Sequence, residues 1–276
     1  MVDFIKSVYS GKIVENDRKL IKPFELDVYL SDVKLAIEYD GLYWHSTATG
    51  KDEYYHLNKT ERCLEKGVQL IHIFEDEWLY KQDIIKDIIK SKLNIYDHRV
   101  YARCCEIREV DFKEASDFLD KNHIQGRDNS SIRYGLYHDG ELVSLMTFGK
   151  PRFNKHFKLE LMRFSTKLGY QVVGGASRLI SVLKRKYDCS IISYADRRYS
   201  CGKLYEKLGF KLIGKSAPNY CYVRENEKYS RYQCQKSKIG KILGDKFDEN
   251  LTEYENMKIN GFDILYDCGN LIYVLE

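Results

Sequence analysis

The feature that most constrains the fold is an alternating stretch of residues that runs from Phe24 to Ser46. Apolar residues recur at every second position, first in "LDVYL" and then in "LAIEY", which predicts two β-strands joined by a short turn. The acids of this hairpin then fall on the opposite face, and they are Glu25, Asp27, Glu38 and Asp40. Like charges on one sheet face repel each other, so the hairpin calls for a compensating cation.

We expect that cation to be Mg²⁺ or Mn²⁺, bound by Asp27, Glu38 and Asp40, because hard cations prefer carboxylate oxygens. His45 follows the hairpin, and His56 and Lys59 lie on the predicted next helix. A metal that activates water, a histidine that transfers a proton and a lysine that steadies phosphate suit phosphodiester hydrolysis. The expected catalytic residues are therefore Glu25, Asp27, Glu38, Asp40, His45, His56 and Lys59. The alternative is a solvated sheet face with scattered acids.

The spacing of these residues resembles a known nuclease core. Asp27 and "EYD" resemble the PD-(D/E)xK pattern with Asp40 at the usual lysine, and "LDVYLSDVKLAIEYDGLYWH" is closer to Vsr endonucleases and related phage homing endonucleases. The resemblance covers roughly residues 1–95. It implies that Asp27 binds Mg²⁺, that the Tyr39 backbone carbonyl is a further ligand, and that His45 is the general acid or base. Asp40 replaces the first Vsr histidine, as in the homing group, and the structural zinc ligands of Vsr are not visible.

The order of predicted elements divides the chain into three parts. Strand, strand, helix, strand and helix make an α/β nuclease-like domain of residues 1–97, which ends at the polar, aperiodic "NIYDHRVYA". Residues 104–225 predict an α+β domain with a hairpin that turns at Asp139 and Gly140. Residues 226–276 are expected to form a basic helical and hairpin extension.

The second part carries a glycine-rich turn. "QVVGGA", between a predicted strand and helix, resembles the Q/R-x-x-G-x-G/A signature of GNAT acyltransferases, and "LYEKLGF" follows at a suitable distance. The resemblance implies that an acyl-CoA pyrophosphate would bind at Gln171, Gly174, Gly175 and Ala176. "NHIQG" and "SYADRR" resemble the Mom-like branch of phage DNA-modification proteins.

Two interpretations of this module stay open. The glycines allow acetyl-CoA to bind, or they are present because the turn requires them; we favour a module that recognises DNA. The polar residues of interest are His123, Arg163, Asp196 and Ser200, and each could instead be a helix cap or one of a satisfied buried pair.

A basic run follows in "KYSRYQCQKSKIGK", which holds five basic residues and no acid, although the net charge of the whole chain is only +4. Lys228, Arg231, Lys236, Lys238 and Lys241 are the expected contacts to double-stranded DNA, with tyrosines between them. The alternative is a solvated helix face.

Composition excludes several classes of protein. The eight cysteines include no Cys-x-x-Cys pair, so we expect free thiols and no zinc. No apolar run is long enough to span a bilayer, and no signal peptide is recognisable, which predicts a cytoplasmic protein without a membrane partner, in an infected host cell if phage-encoded.

The sequence thus predicts a magnesium-dependent homing endonuclease that cuts double-stranded DNA and recognises its target through the C-terminal module. One alternative is a Mom-like or GNAT acyltransferase or DNA-base modification enzyme with an accessory nuclease domain. A second alternative is a Vsr-like mismatch nickase.

Overall fold

The computed structural model describes residues 1–276 and has a mixed α/β architecture with four β-sheets. The α/β class predicted from the sequence is confirmed. None of the helices combines the length and the apolar character needed to cross a membrane.

The N-terminal module is a four-stranded sheet with helices on both faces. Its elements are α1 (Val2–Val8), β1 (Ile13–Asp17), β2 (Leu26–Leu30), β3 (Leu35–Asp40), α2 (Tyr55–Glu65), β4 (Gln69–Phe74), α3 (Glu75–Tyr80) and α4 (Gln82–Lys92). The strands lie in the order β1-β2-β3-β4; β3 is antiparallel to β2 and parallel to β4. The predicted hairpin is therefore present, and its turn needs Lys34 in the left-handed conformation (φ 52°).

The two faces of this sheet differ in chemistry. Val28, Leu30, Leu35 and Ile37 pack on one face in a cluster with isoleucines of α4. Helix α2 covers the other face and buries His56 and Lys59 there. β1 was not predicted, because "IVEND" has only two apolar residues and reads as part of a turn.

The rest of the chain forms a larger unit around a seven-stranded sheet. Its elements are β5 (His98–Tyr101), β6 (Glu106–Glu109), α5 (Phe112–Asn122), β7 (Ile132–His138), β8 (Glu141–Gly149), β9 (Leu159–Thr166), β10 (Tyr170–Val173), α6 (Gly175–Lys186), β11 (Ile191–Asp196), α7 (Lys203–Lys207), β12 (Lys211–Lys215), β13 (Tyr220–Arg224), β14 (Glu227–Ser230), α8 (Gly240–Leu243), α9 (Glu253–Ile259), β15 (Asp263–Tyr266) and β16 (Asn270–Leu275). The large sheet has the order β12-β16-β11-β9-β8-β7-β6. The predicted β7–β8 hairpin turns at Asp139 and Gly140, both with positive φ.

The structure divides the chain differently from the sequence prediction in two places. Residues 226–276 are not an appended extension, because β16 lies between β11 and β12 and β15 pairs with β13. The polar boundary segment contains β5, which pairs in parallel with β10. Both differences have one cause: strand pairing between segments distant in the chain leaves no local sequence pattern.

The two units pack closely against each other. Leu42 and Phe74 of the first share an apolar cluster with Val223 and Leu265 of the second. The backbone N–H of His72 donates to the carbonyl of Arg198 over 3.1 Å. These contacts place the edge strand β4 against the loop that follows β11.

Candidate functional site

The acidic face of the β2–β3 hairpin gathers three of the four predicted carboxylates. The backbone N–H of Asp27 donates to Glu38 Oε1 over 3.3 Å, and Asp40 lies two residues further along β3 on the same face. Glu38 and Asp40 are fully buried beneath α2. This is not the solvated face of the alternative interpretation. Glu25 is separate from the group and pairs with Arg18 at the partly exposed start of β2.

Glu38 forms a buried ion pair with Lys59 of α2. Burial raises the pKa of Glu38 to about 7, and the Lys59 ammonium acts against that rise. Because Lys59 is held by Glu38 and is itself buried, its ammonium serves the packing of α2 on the sheet.

Asp40 lies in a ring of three histidines. Its Oδ2 accepts from His72 Nδ1 over 2.9 Å, and its Oδ1 is 2.8 Å from His45 Nδ1 and 3.6 Å from His56 Nε2. Burial acts to raise the pKa of Asp40, but the neighbouring imidazoles, with His72 first, hold it well below its usual range. Burial lowers the pKa of His56 to about 3, so that ring is neutral.

The sequence analysis missed His72. It lies in the buried strand β4 within "VQLIHIF", where a single polar residue among apolar ones was the available signal. Burial opposes its protonation, but Cys268 and Asp40 raise the pKa of His72 to about 10. His72 Nε2 is also 3.0 Å from Thr60 Oγ1, so both ring nitrogens have partners.

The expected magnesium ligands do not form an oxygen-rich site. Asp27 Oδ2 accepts from the backbone N–H of Tyr39 over 2.7 Å, and Glu38 is paired with Lys59. Around Asp40 the neighbours are ring nitrogens, which Mg²⁺ does not favour.

A second group of polar residues surrounds a cavity in the larger unit. β9 and β11 are paired in parallel from Leu159 and Ile191 to Leu161 and Ser193, and beyond this point the two strands continue without pairing with each other. A cavity of about 220 Å³ lies where they separate. The four polar residues singled out in this part of the sequence all line it: His123, Arg163, Asp196 and Ser200.

The chemical state of His123 and Arg163 follows from their contacts. His123 Nδ1 accepts from the backbone N–H of Gln125 over 3.1 Å, and burial lowers the pKa of His123 to about 3. The ring is therefore neutral and carries its proton on Nε2. The guanidinium of Arg163 donates to the carbonyls of Met162 (2.7 Å) and Gly126 (3.4 Å) and has no carboxylate partner. Burial lowers the pKa of Arg163, yet it stays a cation at neutral pH.

Asp196 and Ser200 have structural partners. Asp196 accepts from the backbone N–H of Arg198 (2.9 Å) and from its Nη2 (3.1 Å). Ser200 Oγ accepts from the backbone N–H of Gly202 over 3.1 Å. Both side chains thus order the loop after β11.

Tyr205 also lines the cavity, and the sequence analysis did not select it although it lies in "LYEKLGF". Ser193 Oγ donates to its hydroxyl over 3.2 Å. Burial raises the pKa of Tyr205, so the phenol stays protonated at neutral pH.

The glycine-rich turn ends β10 and begins α6. Gly174 is the N-cap with φ 78°, and no side chain caps the helix. The first backbone N–H groups of a helix have no partner within it, so an uncapped start offers donors to an anion. A Cβ on Gly175 would lie 3.1 Å from Val172 Cγ1, which shows how closely the turn packs. Gln171, Gly174, Gly175 and Ala176 are thus compatible with a phosphate group.

The basic run is not a single helix. It spans β14, a series of turns and the short helix α8. Lys228 Nζ pairs with Asp76 over 2.7 Å and so joins the two units, instead of being free for DNA. The ring of Tyr220 lies against Arg231, the carbonyl of Glu249 accepts from Lys236, and Lys238 lies over Tyr232. Lys241 is exposed. DNA contact by these side chains stays a prediction.

Comparison with known proteins gives one family match. Residues 104–266 match the model of the Mom protein family. No curated protein matches the chain.

Among solved structures, the ribosomal-protein-S18-alanine N-acetyltransferase of Escherichia coli is 12% identical, with a TM-score of 0.36 over 62% of this chain and 92% of its own. A Bacillus subtilis acetyltransferase in complex with CoA is 15% identical, with a TM-score of 0.35 over 62% and 98%. An N-acetyltransferase of Staphylococcus aureus Mu50 is 14% identical, with a TM-score of 0.36 over 62% and 98%.

The family match corrects the function predicted from the sequence. The prediction of a homing endonuclease is wrong, and so are the predicted nuclease and hydrolase activities. More than half of the chain matches a family that the sequence analysis named only in its alternative interpretation. The comparisons support neither a Vsr-like or PD-(D/E)xK assignment for the N-terminal module nor Mg²⁺ as the main cofactor.

Proposed function

This chain belongs to the Mom protein family, and on that premise we propose that it is an acyltransferase-type enzyme that modifies bases of DNA. The observation that carries the proposal is the cavity of about 220 Å³ at the separation of β9 and β11. It lies within the family-matched residues, and a protonated phenol, a neutral imidazole and a guanidinium without a carboxylate partner line it.

The substrate class agrees with the protonation states in the cavity. The exocyclic amine of a DNA base is neutral at pH 7, so it can attack an acyl carbon without first losing a proton. A strong general base is therefore unnecessary, and none is free: Asp196 is bound to Arg198 and His123 Nδ1 is occupied by Gln125. A base must leave the stack to reach such a cavity.

Acetyl-CoA is the proposed acyl donor, and it supplies an activated acyl group with a thiolate leaving group. The uncapped start of α6, with Gly174, Gly175 and Ala176, would hold its pyrophosphate through backbone N–H groups. Gln171 precedes this turn on β10.

Three side chains have roles that follow from their states. Tyr205 stays protonated and would donate its proton to the departing thiolate, and the proton that the attacking amine loses would then return to the tyrosinate or pass to solvent. His123 presents an Nε2–H donor that can orient a carbonyl or a ring nitrogen of the substrate. Arg163, a cation without a carboxylate partner, suits a DNA phosphate.

The test measures the nucleosides of plasmid DNA incubated with the protein and isotope-labelled acetyl-CoA, by mass spectrometry after complete digestion. We expect a nucleoside that carries the label. Gly174→Asp adds a carboxylate at the N-cap of α6, where only Ala102 Cβ lies within 4 Å of the added Cβ, and should abolish both the product and acetyl-CoA binding in calorimetry. Tyr80→Phe, at an exposed tyrosine of α3 outside the cavity and the basic run, is the control and should keep both. Wild-type protein that binds acetyl-CoA but leaves every nucleoside unlabelled would contradict DNA as the acceptor.

A further inference from the structure

Three ligand atoms converge beneath α2, outside the family-matched residues. They are Asp40 Oδ1 at the end of β3, His45 Nδ1 in the following loop and His56 Nε2 on α2. The distances are 2.8 Å from Asp40 to His45, 3.6 Å from Asp40 to His56 and 3.1 Å from His45 to His56. Asp40 and His56 are fully buried, whereas the side chain of His45 is 17% exposed.

Hydrogen bonds alone do not satisfy all three of these ligand atoms. A carboxylate oxygen only accepts, and a neutral imidazole has one N–H and one lone pair. One hydrogen bond joins His45 Nδ1 and His56 Nε2 over 3.1 Å, and Asp40 Oδ1 has no hydrogen-bond partner although His45 Nδ1 is 2.8 Å away. A buried carboxylate oxygen close to two ring nitrogens, but bonded to neither, is the arrangement that a cation resolves.

We propose that Asp40, His45 and His56 bind a divalent transition metal ion, with Zn²⁺ as the best fit. Atoms bonded to Zn²⁺ at about 2.0–2.1 Å lie about 3 to 3.5 Å from one another, close to the separations found here. Two imidazole nitrogens and one carboxylate oxygen suit Zn²⁺, Co²⁺ or Fe²⁺ and do not suit Mg²⁺. Asp40 also belonged to the ligand set predicted for magnesium. The imidazoles of His45 and His56 take the place of the other carboxylates in that set.

His72 completes the environment of the site. Its Nδ1–H donates to Asp40 Oδ2 over 2.9 Å and so fixes the plane of the carboxylate, leaving Oδ1 toward His45 and His56. The ligand atoms of Asp40, His56 and His72 lie within 4.8 Å of one another. Three protein ligands leave a fourth position open, and the exposed edge of His45 marks the path to it from solvent.

The prediction of no zinc rested on the absence of paired cysteines and of a cysteine–histidine spacing typical of zinc, and this site uses no cysteine. Its ligands come from a strand end, a loop and a helix, and their positions 40, 45 and 56 match no zinc motif of paired cysteines.

The test titrates metal-free, full-length protein with Zn²⁺ in the presence of a chromophoric chelator. We expect one tightly bound equivalent that millimolar Mg²⁺ does not displace. His45→Ala should weaken that binding at least tenfold. His45 is the only one of the three ligands that is partly exposed, so its replacement should leave the fold intact, and a thermal unfolding curve checks this. His98→Ala is the matched control, since His98 lies on β5 away from the cluster, and it should bind as the wild type does.

Co²⁺ substitution identifies the ligands independently. A ligand-field band without a thiolate charge-transfer band supports nitrogen and oxygen ligands, and a thiolate band would assign the metal to cysteines and overturn the proposal. The proposal also fails if the wild type binds no stoichiometric Zn²⁺, if Mg²⁺ displaces it, or if His45→Ala binds as tightly as His98→Ala.

Discussion

Glu77 and Arg198 join the two units through a buried ion pair, and replacing Glu77 by glutamine should weaken the whole protein. Arg198 Nη1 is 3.0 Å from each oxygen of Glu77, and Tyr199 donates its hydroxyl to Glu77 Oε2 over 2.6 Å. Both charged residues are 7% exposed. Removing one partner of a buried pair costs about 3–5 kcal/mol, because the remaining charge stays desolvated.

We expect Glu77→Gln to lose about 3 kcal/mol of unfolding free energy at pH 7, toward the low end of that range because Asp196 still contacts Arg198 over 3.1 Å. The assay is equilibrium urea unfolding followed by circular dichroism and tryptophan fluorescence. The control is Asp117→Asn, which removes an exposed pair with Lys113 on α5 and should cost less than about 0.5 kcal/mol. An equally small loss of unfolding free energy in both variants would refute the argument that burial increases the contribution of the Glu77–Arg198 pair to stability.

The pH dependence of the same pair gives a second check. Burial acts to raise the pKa of Glu77, but Arg198 and Lys228 outweigh it and hold the pKa below the usual value of 4.5. A carboxyl with a lowered folded-state pKa stabilises fully above its unfolded pKa, and the contribution is lost as pH falls through the folded one. The difference between wild type and Glu77→Gln should therefore shrink below about pH 4. A difference that stays constant between pH 7 and pH 3 would contradict this.

Three further outcomes are expected. Tyr205→Phe should lower kcat of the proposed acyl transfer at least tenfold with little change in KM, because only the proton donor is removed; an unchanged kcat would exclude it as the acid. Gly202→Ala should destabilise the protein by about 2 kcal/mol or more in urea unfolding, since its Cβ would lie 1.9 Å from the Tyr273 hydroxyl and its φ is 86°; a stability equal to wild type would contradict that clash. Neutralising Lys238 and Lys241 should reduce the log–log salt slope of DNA binding by up to about two, and an unchanged slope would mark them as solvated surface.

Local sequence patterns predicted the hairpin well and its environment poorly. The period of two in "LDVYL" and "LAIEY" located β2 and β3 and put Asp27, Glu38 and Asp40 on one face. It did not reveal that α2 buries this face, because the covering residues His56 and Lys59 are polar and look like an exposed surface. Their burial depends on pairing with Glu38 and Asp40, which is a property of the packed structure.

The sequence predicted four of the polar residues that line the cavity, but it did not predict that they converge. His123, Arg163, Asp196 and Ser200 come from segments far apart in the chain, and each was selected for its chemistry alone. Their convergence depends on the point at which β9 and β11 stop pairing, which no periodicity encodes. Tyr205 was overlooked because a tyrosine in a short amphipathic helix is typical of ordinary packing.

The position of β16 governs the order in which the protein can assemble. β11 and β12 are not paired with each other, because β16 lies between them and pairs with both. In the chain β16 follows them, after β13, β14, α8, α9 and β15. During synthesis one edge of β11 must therefore stay unpaired until residues 270–275 have left the ribosome. The N-terminal hairpin and α2 need only neighbouring residues and can fold long before. That exposed β11 edge makes the nascent chain prone to association with other strands, so rapid translation through residues 197–275 would favour correct assembly.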